Sequence, residues 1–349
     1  MTWYIESGPK EETVLSTRVR IARNLREMPF PNRMSPEQET EAENLIENTF
    51  LALDISKPRT NWSIVSLEEL GKMQKLALAE KHLLSKRMLE PGCGKTLIIN
   101  KEENLSMMIL EEDHIRVQAM SAGLDLSKAY KEATDLTFNL EEKIPMAWSD
   151  DYGFLTACPT NTGTGLRASV MLFLPGLVRT ERLSYMTDVL AKAGYAVRGS
   201  SGEGSKVEGY RVQVSNQLTL GLSEEEILRD LQHLVENLIE KEEESRQKLL
   251  QADKLGLEDK VWRSRGILEN VRRINYEEAV DLLANLRLGI SLGLIDDGLS
   301  LVSLNRLDAN IGNAGLQQIC GKELIDCELD ESRAKLIREE LKGANRRTR

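Results

Sequence analysis

The spacing of apolar and polar residues changes twice along the chain, near residue 96 and near residue 222. Before the first change, residues 36–55 and 66–90 carry apolar side chains at three- and four-residue intervals. This interval matches the turn of an α-helix, so the pattern predicts two amphipathic helices.

Short apolar runs follow, and they predict β-strands. Four such runs occur, at 96–100, 106–110, 167–175 and 210–220. The last two alternate apolar and polar residues, as half-buried strands do. Glycine-rich connections at 160–165 and 199–204 separate them, and residues 175–195, opened by Pro175, are interpreted as a helix. Strands this close in sequence favour a largely antiparallel sheet that carries helices on one side.

Strand patterns end at Leu222, and helical patterns fill the rest of the chain. Ser223 and Glu226 form a capping-box signature, and apolar residues then recur at helical intervals. Further helical patterns lie at 259–273, 276–292 and 328–342. The fold class is therefore α+β, with one domain at 1–222 and an all-helical domain at 223–349. The apolar stripes of the second domain pack internally or form a dimer interface.

Composition and charge narrow the function. Of the 349 residues, 41% are hydrophobic and 29% are charged, which is typical of a globular protein with a sizeable core. The net charge of −10 argues against a broad nucleic-acid-binding surface, which needs excess Lys and Arg. Arginines nevertheless cluster locally, and a cationic pocket in an acidic protein favours a compact anionic ligand.

No apolar run approaches the length that spans a bilayer, and the first residues do not resemble a secretory signal. The four cysteines, Cys93, Cys158, Cys320 and Cys327, show no disulfide-framework spacing. We therefore expect a cytoplasmic protein with reduced thiols and no membrane partner.

The segment 16–23 carries the first chemical feature. In a strand, Arg18 and Arg20 point to the same face, where two guanidinium groups repel unless an anion lies between them. Their planar forks match phosphate oxygens. The alternative is a strand face in water, which is the commoner place for such charges.

The segment 111–116 places three acids, Glu111, Glu112 and Asp113, directly after an apolar run. Carboxylates at the end of a buried strand are costly unless they meet cations. A substrate guanidinium is one such cation, because a carboxylate can hold it with two hydrogen bonds and accept its proton. An ordinary acidic turn is the alternative.

Two glycine-rich segments complete the set. Residues 158–169 combine glycines, small hydroxyl residues and Arg167, and residues 198–205 carry Arg198 and Glu203 near their ends. Glycines allow a backbone to approach a ligand closely, although a mobile hinge without a ligand explains either loop equally well.

Several common nucleotide and metal motifs are missing from the sequence. It contains neither a GxxxxGK[ST] loop nor the HRD and DFG motifs of protein kinases, and its cysteines and histidines lack zinc-ligand spacing. If the protein binds ATP, arginines must hold the phosphates.

In order and spacing, the four segments together resemble the catalytic core of the phosphagen (guanidino) kinases. Along most of the chain the resemblance is to the bacterial protein-arginine kinases of the McsB type. It implies transfer of the ATP γ-phosphoryl group to arginine side chains of proteins, with Mg²⁺ held mainly by the phosphates. It further implies roles in protein quality control and the stress response, with an activator protein, an AAA+ protease complex and a homodimer as partners.

The resemblance also assigns roles to individual residues. The implied phosphate clamp consists of Arg18, Arg20, Arg116, Arg167 and Arg198. Glu112 and Glu203 would hold the target guanidinium, His82 would pack near the adenine, and Cys158 matches a reactive cysteine beside the site. Asp330 and Arg333 match part of a phosphoarginine-sensing pocket, with an ordinary helix-surface pair as the alternative.

The sequence departs from the family pattern at three positions. Leu110 stands where the family has Asn before the acids, Phe173 where relatives often have His, and Leu329 where the sensing pocket has its first Arg. The first two affect fine geometry, and the third puts phosphoarginine feedback in question.

The nature of the substrate depends on what precedes the first arginine segment. Small-molecule phosphagen kinases carry a helical lid domain there, whereas 15 residues precede Ser16 here. We therefore expect an open site that accepts arginine on a protein. A kinase of free arginine or another small guanidino compound, and a nonenzymatic adaptor that binds nucleotide or phosphoarginine, remain as alternatives.

Overall fold

The computed structural model describes residues 3–92, 94–199, 207–296 and 298–347, with side chains up to residue 343. The strands in these residues are β1 (Val14–Arg23), β2 (Trp62–Ser66), β3 (Thr96–Asn100), β4 (Leu105–Ile109), β5 (Ile115–Ala122), β6 (Trp148–Ser149), β7 (Gly153–Phe154), β8 (Leu166–Phe173), β9 (Tyr195–Gly199) and β10 (Arg211–Asn216). Eight of them form one antiparallel sheet in the order β2-β3-β4-β5-β1-β8-β10-β9, and β6 pairs with β7.

Helices occupy most of the remaining described residues. They are α1 (Pro36–Ala52), α2 (Lys72–Glu80), α3 (Leu126–Glu141), α4 (Pro175–Arg179), α5 (Leu183–Lys192), α6 (Glu224–Ala252), α7 (Lys254–Asn270), α8 (Tyr276–Ser291), α9 (Leu301–Asn310), α10 (Asn313–Cys320) and α11 (Asp326–Arg347). Within the part of the chain that is described, none of these helices has the length and apolar character needed to cross a membrane. The predicted α+β fold with an antiparallel sheet and a helical C-terminal region is confirmed.

The main core lies between one face of the sheet and helices α1, α3 and α6. Val19 and Ile21 of β1 are fully buried there, with Ala133 of α3, Ile46 of α1 and Leu231 of α6. Each large aliphatic side chain buried in this way stabilises the fold by about 1.5–3 kcal/mol. This face carries the helices that the strand pattern predicts.

Two apolar clusters cover parts of the other face of the sheet. At one end, Leu83 and Met88 pack on Leu97 and Met108 of β3 and β4. At the other end, Phe173 of β8 packs against residues of α7 and α8. Between these clusters the face is open to a cavity, which Trp3, Tyr4 and residues of α9 also line.

Helix α6 begins at the capping box that the sequence predicts. The Ser223 hydroxyl accepts from the Glu226 amide, and the Glu226 carboxylate accepts from the Ser223 amide. Its first half packs in the main core, whereas α7, α8, α9 and α11 form a second core. The division of the chain at 222/223 stays a prediction.

Two predicted helices are interrupted in the structure. The 66–90 helix is wrong outside α2, because His82 adopts a φ of 60° and the Leu83 amide bonds back to the Leu78 carbonyl. The 175–195 helix divides into α4 and α5 at Glu181, whose φ is 58°. A left-handed residue ends a helix, and outside glycine it leaves little trace in the sequence.

Candidate active site

Arginines occupy the accessible face of the central strand. Because Val19 and Ile21 point into the main core, Arg18 and Arg20 point to the opposite side of the sheet. The expectation that these two arginines share one face is confirmed by the strand register.

Neighbouring strands add two more arginines to this face. Arg20 lies directly opposite Arg167 of β8 on one side and Gln118 of β5 on the other. Arg116 is two positions from Gln118 along β5, so its side chain leaves the sheet on the same side.

The register also places Arg198 on this face. Arg198 of β9 lies opposite Gln213 of β10, and Gln213 lies opposite Met171 of β8. Met171 is four residues from Arg167 on the same strand, so both side chains leave the sheet on the same side. Arg198 therefore lies on the face that carries Arg167. The five arginines named from the sequence therefore project from one side of one sheet.

These cations repel one another. Burial, followed by Arg116 and Arg167, lowers the pKa of Arg18 to about 10. Burial, followed by Arg18, Arg116 and Arg167, holds the pKa of Arg20 well below its usual value. Arginine still carries its charge at neutral pH, so the lowered pKa values reflect first the cost of burying each positive charge and then the repulsion between the charges. A bound polyanion would remove this cost.

A hydrogen bond to a neutral side chain orients Arg18 without neutralising its charge. Arg18 Nη2 donates to Gln213 Oε1 at 3.1 Å. The Nε atom of Arg20 is buried and has no hydrogen-bond partner among the residues that the structure describes. A buried donor without a partner is costly, and an anionic ligand would supply the missing acceptor.

The three acids after β4 occupy different environments. Glu111 is buried and accepts from Arg116 Nη1 at 2.7 Å and from the Ser85 hydroxyl at 2.6 Å. Burial opposes the charge, yet Arg116 and these hydrogen bonds hold the pKa of Glu111 below its usual value. Glu112 is 29% exposed, and its Oε1 lies 3.6 Å from Nη1 of the half-exposed Arg87. Of the three acids, Glu112 is thus the one whose carboxylate is available to a ligand.

The third acid joins two loops at this end of the sheet. Asp113 Oδ1 accepts from Asn24 Nδ2 at 2.6 Å and from the Ala157 amide at 2.7 Å. Burial raises the pKa of Asp113. Asn24 also accepts from the His114 amide at 3.0 Å, and His114 is fully buried with its pKa lowered to about 4 by burial. This network fixes Glu112 relative to the segment that contains Cys158.

The glycine-rich segment after Cys158 is anchored to the sheet. Thr219 Oγ1 donates to the Thr160 and Thr162 carbonyls at 3.0 and 2.7 Å. Gly163 has a φ of 114°, and a Cβ there would come within 2.2 Å of the Thr219 carbonyl oxygen. The structure therefore favours a fixed loop over a hinge at this position. Cys158 is partly exposed, and its Sγ lies 3.0 Å from Thr160 Oγ1.

His82 lies in the cavity on the arginine face. The cavity is lined by Arg18, Ser169 and Gln213 of the sheet and by Trp3 and Tyr4 of the N-terminal segment, among other residues. Burial, then Arg18 and Arg211, lower the pKa of His82 to about 4. A neutral imidazole beside an aromatic and partly apolar lining suits a flat, uncharged ring.

Two sequence predictions concern residues outside this cluster. Glu203 lies outside the described residues. Arg333 is 1% exposed and donates to the Ile274 and Ile311 carbonyls, to Asn313 and to Asp330, the last at 2.6 Å. The pair Asp330–Arg333 is thus formed, but Arg333 lies inside the helical core and not on a helix surface.

The departures from the family pattern also have structural positions. Leu110 has a φ of 56° and is 3% exposed, so a buried leucine takes a conformation that suits Asn better. Phe173 lies under the helical region, where its ring contacts the guanidinium groups of Arg246 and Arg287. Leu329 is buried beside Asp330.

Sequence reasoning missed Asn24, Gln213 and Glu80. Asn24 directly follows the arginine strand, which is the signal that could have marked it. Gln213 shares the period-two alternation of β10 with Arg211. Glu80 bonds to α10, more than 230 residues away, and such a contact leaves no local pattern.

Comparison with known proteins agrees with this geometry. Residues 41–245 match the family model of the ATP:guanido phosphotransferase C-terminal catalytic domain, and residues 254–349 match that of the protein-arginine kinase McsB C-terminal domain. The chain is 40% identical over 339 residues to a protein-arginine kinase of Halothermothrix orenii, covering 97% of this chain and 96% of that protein. A protein-arginine kinase of Bacillus cereus is 41% identical over 340 residues, covering 97% and 95% of the two chains.

Solved structures give the same fold. A duplicated taurocyamine kinase from Schistosoma mansoni, with bound transition-state analogue components, superposes with a TM-score of 0.61 at 27% identity. The match covers 73% of this chain and 38% of that duplicated chain. A lombricine kinase gives a TM-score of 0.59 at 24% identity, with 68% of each chain covered, and shows the fold alone.

Proposed function

Since the chain belongs to the protein-arginine kinase family, we propose that it transfers the γ-phosphoryl group of ATP to arginine side chains of proteins, using the arginine face and Glu112. The observation that carries this proposal is the repelling cluster of arginines beside an accessible carboxylate. The first feature suits a polyphosphate, and the second suits a guanidinium.

The phosphate site would consist of Arg18, Arg20, Arg116, Arg167 and Arg198. These residues stabilise the negative charge of the triphosphate and of the phosphoryl group during transfer. Glu111 orients Arg116 toward this face through the 2.7 Å ion pair. ATP brings Mg²⁺, which we expect phosphate oxygens and water to hold.

The guanidinium site would include Glu112 and Glu203. A guanidinium is a poor nucleophile because its pKa lies above 12, so its orientation and the removal of its proton are the difficult parts. Glu112 would align one guanidinium nitrogen with the γ-phosphorus and accept its proton during transfer. The nearby Arg87 guanidinium supports this role, because it shows that Glu112 can be approached by such a group.

The base of ATP would occupy the cavity beside His82. Its lining joins directly to the arginine face through Arg18, so one nucleotide can reach both. Loss of His82 should therefore weaken nucleotide binding more than turnover at saturating ATP.

Mass spectrometry of casein incubated with the protein and Mg-ATP at neutral to basic pH tests the proposal. Acid must be avoided because it cleaves the P–N bond. We expect phosphoarginine with the wild type, and a rate lower by about 10²–10⁴-fold in Glu112→Gln, as for loss of a general base. Glu41→Gln, which alters an exposed acid on α1, is the matched control and should retain full activity.

Other outcomes would favour the alternatives. ATP consumption with free arginine but without modified protein would indicate a kinase of small guanidino compounds. Nucleotide binding without either reaction, also after addition of an activator protein, would indicate an adaptor. The activator, the AAA+ protease complex, the role in stress and protein quality control, and the homodimer are predictions from the family resemblance.

A further inference from the structure

The cavity beside His82 is closed on its far side by the helical C-terminal region. Asn305, Asp308 and Ala309 of α9 line it opposite the sheet. At the cavity wall, Arg211 Nη2 of β10 lies 2.6 Å from Asp308 Oδ1. The site proposed for the base is therefore formed by residues of the sheet together with residues of helix α9.

His82 is the left-handed residue that follows α2, and it lines this cavity. Its φ of 60° is common at a helix end, and histidine adopts it more readily than most residues. One restraint follows His82: its carbonyl accepts from Gln118 Nε2 at 2.7 Å, and the next two leucines are buried. The hydrogen bonds of the helix end fix His82 relative to α2, so a second restraint on α2 itself would fix His82 relative to the rest of the site.

Glu80 supplies this second restraint, because it ties the end of α2 to the start of α10. Its two carboxylate oxygens accept from the Ala314 and Gly315 amides at 3.0 and 2.8 Å. These amides belong to the first turn of α10, where helix donors lack partners and a negative charge is favourable.

Gly312, the residue that precedes α10, makes this contact possible. A Cβ at Gly312 would lie 2.4 Å from a Glu80 carboxylate oxygen. Its φ of −64° is ordinary for any residue, so space and not conformation requires glycine here. At Gly315, by contrast, a Cβ would make only ordinary contacts at 3.4 Å or more.

We propose that Glu80 is a positioning residue of the nucleotide site: by holding the start of α10, it fixes His82 against the base. The position of the C-terminal helices therefore sets nucleotide affinity, without any of these contacts touching the transferred phosphoryl group. This inference rests on the proposed function, because it assigns the cavity to the base of ATP.

Calorimetric titration with Mg-ADP, together with KM for ATP and kcat, tests the inference in the full chain. Glu80→Ala and Gly312→Ala remove the contact from its two sides. Each should raise the Kd of Mg-ADP and the KM for ATP about fivefold, the scale of one lost helix-capping contact, and leave kcat within about twofold. Glu80→Gln keeps one of the two acceptors and loses the charge, so its affinity should lie between those of Glu80→Ala and the wild type. Gly315→Ala is the matched control and should bind as the wild type does.

The contrary outcomes are distinct. Wild-type affinity in both alanine variants would overturn the inference, as would weak binding in Glu80→Ala alone, since Glu80 would then act without α10. A fall of kcat in parallel with affinity, with a lower melting temperature, would reduce Glu80 to a folding role and also overturn it. Failure of the wild type to bind Mg-ADP would instead contradict the proposed function itself.

Discussion

Arg20 of β1 and Arg167 of β8 are directly opposed cross-strand neighbours in the middle of the sheet. Like charges at such positions destabilise a sheet, and here burial, followed by Arg18, Arg116 and Arg167, holds the pKa of Arg20 well below its usual value. The fold keeps an arrangement that costs stability without a ligand and becomes favourable when an anion binds. This is typical of a binding site and atypical of a surface in water.

Replacing Arg20 should therefore make the ligand-free protein more stable and weaken its binding of Mg-ADP. Arg20→Met removes one repelling charge and keeps most of the apolar stem. Without ligand, we expect the free energy of unfolding to rise by about 0.5–2 kcal/mol, while stabilisation by Mg-ADP is lost. Thermal unfolding with and without Mg-ADP measures both. Arg229→Met, on the exposed face of α6, should change neither, and a variant less stable than the wild type without ligand would contradict the repulsion argument.

The same substitution should destabilise the protein at Glu111 and leave its stability unchanged at Glu112. Glu111→Gln leaves Arg116 without its buried partner and should lower the free energy of unfolding by about 1–3 kcal/mol. Glu112→Gln alters an accessible carboxylate and should leave stability unchanged. Urea denaturation of the two variants compares them directly. Equal stabilities would show that Glu111 is not the structural acid of the pair.

Acid should destabilise the protein through His114. In the unfolded chain this histidine takes up its proton near pH 6.5, but in the folded protein only near pH 4. Between these values the unfolded state binds more protons, so the free energy of unfolding falls with decreasing pH, by up to about 3 kcal/mol.

Urea denaturation at pH 7, 6 and 5 checks this pH dependence. In His114→Gln, the free energy of unfolding should change less between pH 7 and pH 5 than in the wild type, whatever its value at pH 7. His233→Gln, on the exposed part of α6, should show the same dependence on pH as the wild type. An unchanged slope in His114→Gln would mean that other groups cause the acid sensitivity.

Arg333 should behave as a structural residue. Its hydrogen bonds to two carbonyls, Asn313 and Asp330 lie inside the second core. Even Arg333→Lys should lower the free energy of unfolding by about 3–5 kcal/mol, because the remaining acceptors lose a donor that lysine cannot replace. Chemical denaturation measures this. If Arg333→Lys were as stable as the wild type, the structural role of Arg333 would be contradicted and the role in ligand binding would be favoured.

The predictions that succeeded are those that depend on local periodicity. Alternation in β1 placed Arg18 and Arg20 on one face, and the Ser223–Glu226 box marked the start of α6. Backbone geometry causes the period of two in the strand, and the box consists of hydrogen bonds between residues only three positions apart. The predictions that failed, such as a continuous helix over 66–90, missed left-handed residues like His82.

By itself, the sequence determined the residue types of the site and the faces of the strands that carry them, because both follow from neighbours along the chain. The tertiary structure alone decided how the three consecutive acids divide their roles. Glu111 meets Arg116, Asp113 meets Asn24 and Ala157, and Glu112 remains accessible. It also decided that Glu80 contacts α10, because partners distant in sequence meet only when the whole chain has packed.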